Sequence, residues 1–447
     1  MNQKIVCATV IIALMLLTEV TFSFEASLEY SQNVIGVLSN TFKVKLEHRS
    51  ETFFFLGELL ASSDGKYKSP FSPSYYGGYY FFMKNGGVGF NLGGLKTRFG
   101  RFEHRDIVDT PYSLFISPSG LPTLISDICY EDDRFIYETR WIKLNEAFGD
   151  VPDRGANYKV YALKFGNFRF GYQEAVVYTG RFFDAEYLFN PIPNFFIQYT
   201  LLAGRPIPQG SNANSLMGFF ADYENDELYL YGQILVDDFN MNRFMHPDWF
   251  QNPDKVAWSL GGHYKTDFGT FGFYHAGATK YTFESFGSMD LDTKYGYVYF
   301  PVIYYESGNG KAVIPLVDNY VGYKYGENNL AFMLSYAKTS GGIDLNASLE
   351  FVISGSKSPA NPWHEDVKAP EGTHLLDEFP LERMLIFEMR LGNEHMEAFI
   401  KFGKVWNELV PVDVGAAPDS DEPVLKPGEE HRDIFELGFS LRFSFSV

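Results

Sequence analysis

The chain ends Ile434-Phe-Glu-Leu-Gly-Phe-Ser-Leu-Arg-Phe-Ser-Phe-Ser-Val447, and this stretch decides the fold. Every odd position from Phe435 onward is apolar: Phe435, Leu437, Phe439, Leu441, Phe443, Phe445 and Val447. Between them stand Glu436, Gly438, Ser440, Arg442, Ser444 and Ser446. Alternation with period two puts the apolar set on one face of an extended strand. On a soluble sheet edge, so long and aromatic a face would invite aggregation. In an outer-membrane β-barrel the same pattern is required, one face meeting lipid and the other the lumen. The stretch reads as the closing strand of such a barrel.

Composition agrees. The 447 residues include 44 Phe and 30 Tyr, an aromatic share of 18%, with 41 Gly. Aromatic girdles around a polar interior account for this better than a soluble secreted all-β domain does. At the N-terminus, Lys4 precedes an apolar run from Ile5 to Leu17, then Thr21, Phe22 and Ser23. The run is short for a membrane helix and fits a cleavable signal peptide, residues 1–23, with the barrel domain at 24–447. Cys129 is then the one cysteine left, so neither a disulfide framework nor a thiolate metal site is expected. Formal net charge is −19, which argues against a nucleic-acid partner. No cofactor is indicated. The partners expected are outer-membrane lipid, the barrel-assembly machinery and, in one reading, a surface polysaccharide.

Alternating segments recur along the chain, among them Phe42/Val44/Leu46, Leu228/Leu230, Leu345/Ala347/Leu349/Phe351 and Leu385/Phe387/Met389/Leu391. Their connections alternate in length. Short ones fall at 48–51, 93–94, 131–134, 166–167, 224–227, 267–270, 339–342 and 392–394. Long ones fall at 61–78, 103–120, 145–156, 180–213, 237–255, 284–294, 355–382 and 407–433. Short turns inside and long loops outside is the bacterial barrel arrangement. A short outer turn near Gly326–Asn329 is the one exception. The walk gives about 20 strands, within a range of 16–20 for this architecture. Parity excludes Asn194–Ala203 as a strand, so this segment is expected to fold over or into the lumen.

The block from Gly171 to Phe239 carries the functional signal. It holds Gln173-Glu174-Ala175-Val176-Val177-Tyr178, then Glu186-Tyr187-Leu188-Phe189-Asn190-Pro191, then Asn214, Gly218 and Asp222. It closes with Leu230-Tyr231-Gly232-Gln233-Ile234-Leu235-Val236-Asp237-Asp238-Phe239. In order and rough spacing this resembles the Wzi-like capsule-assembly family of outer-membrane proteins, with Phe189 inserted before Asn190. The resemblance implies a barrel of about 18 strands that binds surface polysaccharide without catalysis and anchors capsule to the cell. The described capsule lectin also carries a small periplasmic helical bundle, for which no amphipathic stretch stands near this N-terminus. The resemblance covers about 70 residues; the remainder matches by barrel pattern.

The residues themselves suggest an interior constellation. Glu174, flanked by apolar and aromatic residues, needs a partner, for which Arg169 and Arg181 are at hand. Asp237 and Asp238 end a strand at the outer rim, where carboxylates can accept sugar hydroxyls. Rings stack on sugar C–H faces, which nominates Tyr229, Tyr231 and Trp249. With Tyr187, Asn190 and Asn214 these are the candidate ligand-binding residues. The competing reading is that Glu174, Asn190 and Asp237 merely pin a loop folded inward. His104-Arg105-Asp106 lacks every companion motif of a kinase, and Glu131-Asp132-Asp133 lies in a tight turn rather than a catalytic pair. The chief alternative function is a porin or substrate-specific channel of the same architecture.

Overall fold

The computed structural model describes residues 25–35, 37–67, 77–147, 151–198, 213–238, 245, 253–283, 295–301, 304–307, 310–313, 315–357, 372–377, 379–412 and 424–446. Residues 1–23, where a signal peptide is expected, Trp249 and Val447 lie outside them.

The strands are β1 (Glu25–Ile35), β2 (Val37–Arg49), β3 (Phe53–Ser62), β4 (Tyr80–Leu92), β5 (Leu95–Phe102), β6 (Thr123–Glu131) and β7 (Phe135–Asn145). They continue as β8 (Arg154–Phe165), β9 (Phe168–Thr179), β10 (Ala213–Glu224), β11 (Leu228–Asp238), β12 (Lys255–Thr266) and β13 (Gly269–Ala278). Next come β14 (Tyr304–Ser307), β15 (Gly310–Val313), β16 (Asn329–Ser340), β17 (Ile343–Ser354), β18 (Glu382–Gly392) and β19 (Met396–Trp406). Last are β20 (Leu409–Val412), β21 (Val424–Pro427) and β22 (His431–Ser446).

Eighteen of these form one sheet, each strand antiparallel to its chain neighbour. β14–β15 and β20–β21 are separate two-stranded hairpins. β22 pairs with β19 on one side and with β1 on the other, Phe443 facing Leu28, and so closes the barrel. Closure leaves no sheet edge, which the membrane demands because hydrocarbon offers backbone groups no partner. Phe435, Leu437, Phe439 and Phe443 are exposed on the outside of β22, while Glu436 and Arg442 point inward to Lys401 and Glu29.

All eight short turns expected from the sequence join strands at the end where both termini of the sheet lie. Asx caps set several: Asp132 Oδ1 accepts from the N–H groups of Arg134 and Phe135, both at 2.8 Å. Asp132 is thus a turn cap, as expected. Gly89 illustrates why β4 is glycine-rich: a Cβ there would stand 2.1 Å from the Phe54 ring.

The 18 strands agree with the expected barrel of about 18, within the range 16–20; the connection-by-connection figure of about 20 is two too high. Treating Gly326–Asn329 as an outer turn separate from the loop at 284–294 implies two further crossings between them. Instead β13 pairs directly with β16, Gly277 against Leu330, so everything from 279 to 328 is one excursion at the long-loop end. Its tyrosines are buried because it folds into the barrel, not because it crosses the membrane: Tyr297, Tyr320 and Tyr323 are all covered. Residues 194–198 are helical, as parity required, and 199–203 lie outside the described residues.

Candidate functional site

Two packed regions occupy opposite sides of the wall formed by β7 to β11. Inside, the connection between β5 and β6 turns into the lumen. Tyr158 and Tyr229, from β8 and β11, bond its Ile107 N–H and Val108 carbonyl at 3.3 and 3.0 Å. Gln233 Oε1 accepts from the Leu114 N–H at 2.9 Å, and Tyr112 donates to Glu350 of β17 at 2.8 Å. β17 stands nine places round the ring from β6, so the segment reaches across the full lumen. Residues 295–301 and 315–325 pack upon it: Tyr297 donates to the Phe115 carbonyl, and the Tyr323 N–H to that of Leu114. Tyr112, Leu114, Phe115 and Ile116 are fully buried.

Asp106 organises this plug. Its Oδ1 accepts from the N–H groups of Val108 and Asp109, and its Oδ2 from Phe115 N–H and Gln233 Nε2. Gln233 also bonds Gln173 at 2.6 Å, tying β9 and β11 to the plug through one amide. Burial raises the Asp106 carboxyl above its usual pKa, against the opposing effect of those hydrogen bonds. His104 lies between the Tyr299 hydroxyl, 2.8 Å from Nε2, and Arg140, 3.3 Å from Nδ1. A guanidinium can only donate, so Nδ1 accepts and the proton sits on Nε2. Burial first, then Arg140, holds this imidazole well below its ordinary pKa and hence neutral.

Outside, residues 181–198 descend from the rim over the outer faces of β7 to β10. The side chain of Asp184 accepts from the Glu186 N–H and caps a turn of helix at Ala185–Phe189. Tyr187 stacks on Tyr178 with ring centroids 5.4 Å apart and planes 8° from parallel. Trp141 donates to the Phe182 carbonyl at 2.5 Å, and Val176, Leu188 and Ile197 complete the cluster. Lower down, Lys159 Nζ donates to the carbonyls of Asn190 and Ile192 at 2.7 and 2.8 Å. Directly across the strand pair, Glu174 accepts from the N–H groups of Asn194 and Phe195 and from the Tyr172 hydroxyl. Lys159 and Glu174 are both 0% exposed. They sit at mid-strand on the side that elsewhere meets lipid, where a bare lysine would cost roughly 2–4 kcal/mol. The flap supplies the hydrogen bonds and the cover that hydrocarbon cannot.

The expected single constellation therefore divides. Glu174 is on the outside, its charge partner is Lys159, and the two arginines nominated for it are engaged elsewhere. Arg169 bonds Asp222 at 2.7 Å, and Arg181 bonds Asp184 at 2.8 Å. Tyr187 is buried in the outer cluster, and Asn190 ends the helical turn, its Oδ1 accepting from the Ile192 N–H. The segment expected over or in the lumen lies on the outer wall instead. Asn214, Tyr229, Tyr231 and Asp237 do face inward. Tyr229 and Tyr231 stack at 5.9 Å beneath the plug, Tyr231 bonding the Ser259 hydroxyl at 2.8 Å. Asp237 Oδ1 accepts from Asn214 at 2.9 Å, and Oδ2 faces Lys255 at 3.4 Å. The backbone of Asp238 is at a bulge closing β11; its side chain, like Trp249, lies outside the described residues.

Sequence reasoning missed His104 and Asp106 as plug residues. The available signal was the apolar run Tyr112-Ser113-Leu114-Phe115-Ile116 in a loop that should otherwise be polar. Below the plug, toward the short-turn end, a cavity of 340 Å³ is lined by Glu25, Glu29, Glu47, Glu58, Lys43, Lys45 and Arg442 among others. Among the described residues no three His, Cys, Asp or Glu side chains gather as a metal site.

No protein-family model matches the chain, and no curated protein matches it. Solved structures do. The chain is similar to Wzi, described as an outer-membrane protein involved in group 1 capsule assembly in Escherichia coli and a carbohydrate-binding β-barrel. That alignment has 9% identity over 100% of this chain and 89% of that one, with a TM-score of 0.53. OprD of Pseudomonas aeruginosa aligns at 9% identity over 96% of both chains, TM-score 0.47. OccAB2 of Acinetobacter baumannii aligns at 11% over 95% of this chain and 98% of that one, TM-score 0.45. The last two superpositions are too loose to carry an argument, and at 9% identity the likeness to Wzi is one of fold. The chain is an outer-membrane β-barrel of 18 antiparallel strands.

Proposed function

We propose that this protein is a non-conducting, non-catalytic barrel of the Wzi-like kind that binds or organises surface polysaccharide through its long-loop face. One observation carries the reading: the 103–122 segment crosses the lumen from β5–β6 to β17 and is buried under a second layer. A general diffusion pore needs an aqueous path, and this arrangement spends its interior on packing instead. The Wzi-like order of motifs between Gly171 and Phe239 agrees with the reading, as does the fold of a carbohydrate-binding barrel. Export by an N-terminal leader at 1–23, contact with outer-membrane lipid and delivery by the barrel-assembly machinery belong to the same proposal.

A second reading, a substrate-specific channel with a displaceable plug, has the charged cavity at the short-turn end in its favour. Glycan-array binding by the refolded protein separates the two. The proposal expects binding to a subset of surface glycans, weakened by Asp238→Ala and Trp249→Ala. A folded Tyr231→Ala variant should keep the same glycan profile, because Tyr231 is covered by the plug. Failure to bind any glycan would move the assignment to the channel.

A further inference from the structure

The outer surface of the flap has a character of its own. Phe182, Phe183, Phe189, Ile192 and Phe196 are exposed on it, Phe189 at 65% and Phe196 at 51%. Its charged residues Arg181, Asp184 and Glu186 all come early, next to the rim, and none follows until the segment leaves the described residues. The wall beneath lacks a lipid-facing surface at the same height. On β22 exposed apolar side chains run from Phe435 to Phe443. On β8 they stop at Leu163 and on β9 at Phe170; the next outward positions toward the rim are Tyr161, Lys159 and Asn157, and Tyr172 and Glu174. On β7 the corresponding outward positions are Thr139 and Trp141, which bond the flap at the Leu188 and Phe182 carbonyls.

We infer that residues 181–198 are a membrane-embedded extension of the barrel wall, their aromatic skin seated among the acyl chains of the leaflet at the long-loop end. The apolar belt that encircles the other strands is broken over β7 to β10 by polar outward residues, and the flap restores it. Continuity of the belt identifies the occupant as lipid. The order of residues fits the depth: charges at the rim, then Phe189, Ile192 and Phe196 where the segment covers the mid-strand Lys159 and Glu174. A transmembrane strand needs about 9–11 residues. Only the short-turn half of β9, a 12-residue strand, presents a bare lipid-facing surface.

The inference is independent of the glycan assignment. Spin labels at Phe189→Cys and Phe196→Cys, in a Cys7→Ser, Cys129→Ser background refolded into phospholipid vesicles, test it by collision with oxygen and with a water-soluble nickel chelate. Leu163→Cys is the lipid-facing reference and Glu394→Cys, in a short turn, the aqueous one. The expected result is high oxygen and several-fold lower nickel accessibility than at Glu394→Cys, matching Leu163→Cys. Nickel accessibility equal to Glu394→Cys would place the skin in water and overturn the inference. Low accessibility to both reagents would mean that protein, such as a second copy, covers the skin, and would overturn it equally. Retarded migration of the unheated protein in detergent gels establishes that each variant is folded; if either fails, Phe182→Cys replaces it.

Discussion

Gln173 and Glu174 are adjacent in sequence and stand on opposite sides of the barrel wall. Gln173 points in and joins Tyr158 and Gln233 in the network that seats the plug. Glu174 points out and accepts from two backbone N–H groups of the flap, while Lys159 across the strand pair donates to two of its carbonyls. The plug is held by distributed hydrogen bonds and many buried rings, so no one contact carries it. The flap rests on two buried, oppositely charged side chains, each bonded to its backbone, and on one aromatic cluster, so a single charge change should unseat it. Strand alternation lets a motif of a few residues build both structures at once.

That contrast can be broken most forcefully at the plug. Replacing residues 104–121 by a short Gly-Ser linker should convert a silent barrel into one with steady ion conductance in planar bilayers. Continued silence would mean that the second layer seals the lumen unaided.

At the flap, Glu174→Gln should destabilise the protein by about 3–5 kcal/mol, the range for leaving a buried charge, here Lys159, without its compensating charge. The double variant Lys159→Met, Glu174→Leu should recover most of that loss, because outward-facing apolar residues suit this wall. Urea midpoints in vesicles measure both; equal loss in single and double variants would show that the backbone bonds to Glu174, not the charges, hold the flap.

Gln233→Leu in the plug should cost less, about 1–3 kcal/mol for the one donor and two acceptors it leaves behind. It should also raise protease cleavage within 103–122 without abolishing folding. Wild-type cleavage rates would show that Asp106 alone suffices.

The smallest expected effect is on pH. His104 has a folded pKa depressed below 6.5, so as pH falls the unfolded segment takes up a proton that the buried ring refuses. Plug stability is then complete above about 6.5 and declines as pH drops through that value toward the folded pKa. Arg140 and Arg98 oppose the imidazolium, and Asp127 favours it. The raised pKa of Asp106 acts in the opposite sense, its protonation adding stability as pH falls. Protease cleavage of the plug should rise between pH 7 and 5 in wild type and stay flat in a folded His104→Gln variant.

Much of the fold was legible because lipid enforces period two so strictly. The closing strand and all eight short turns follow from alternation and Asx or Gly signals. The excursion at 279–328 misled the count because tyrosines buried against a plug look like those of a strand. The candidate site was legible in its residues but not in its place. Phe168 and Phe170 fix the outward face of β9, and counting on by twos puts Glu174 outside. The assumption that a polar residue must face inward overrode that count. It fails here because a loop provides, outside the wall, the shelter usually found within it. The plug left only a weak trace, the apolar run after Pro111.

The central claim is that the intact barrel is closed. Single-channel recording on the refolded wild-type protein tests it most directly. The packing of Tyr112, Phe115, Tyr297 and Tyr323 across the lumen predicts no steady conductance steps above the bilayer background. Large, steady steps from wild-type protein would contradict it and make the barrel a channel.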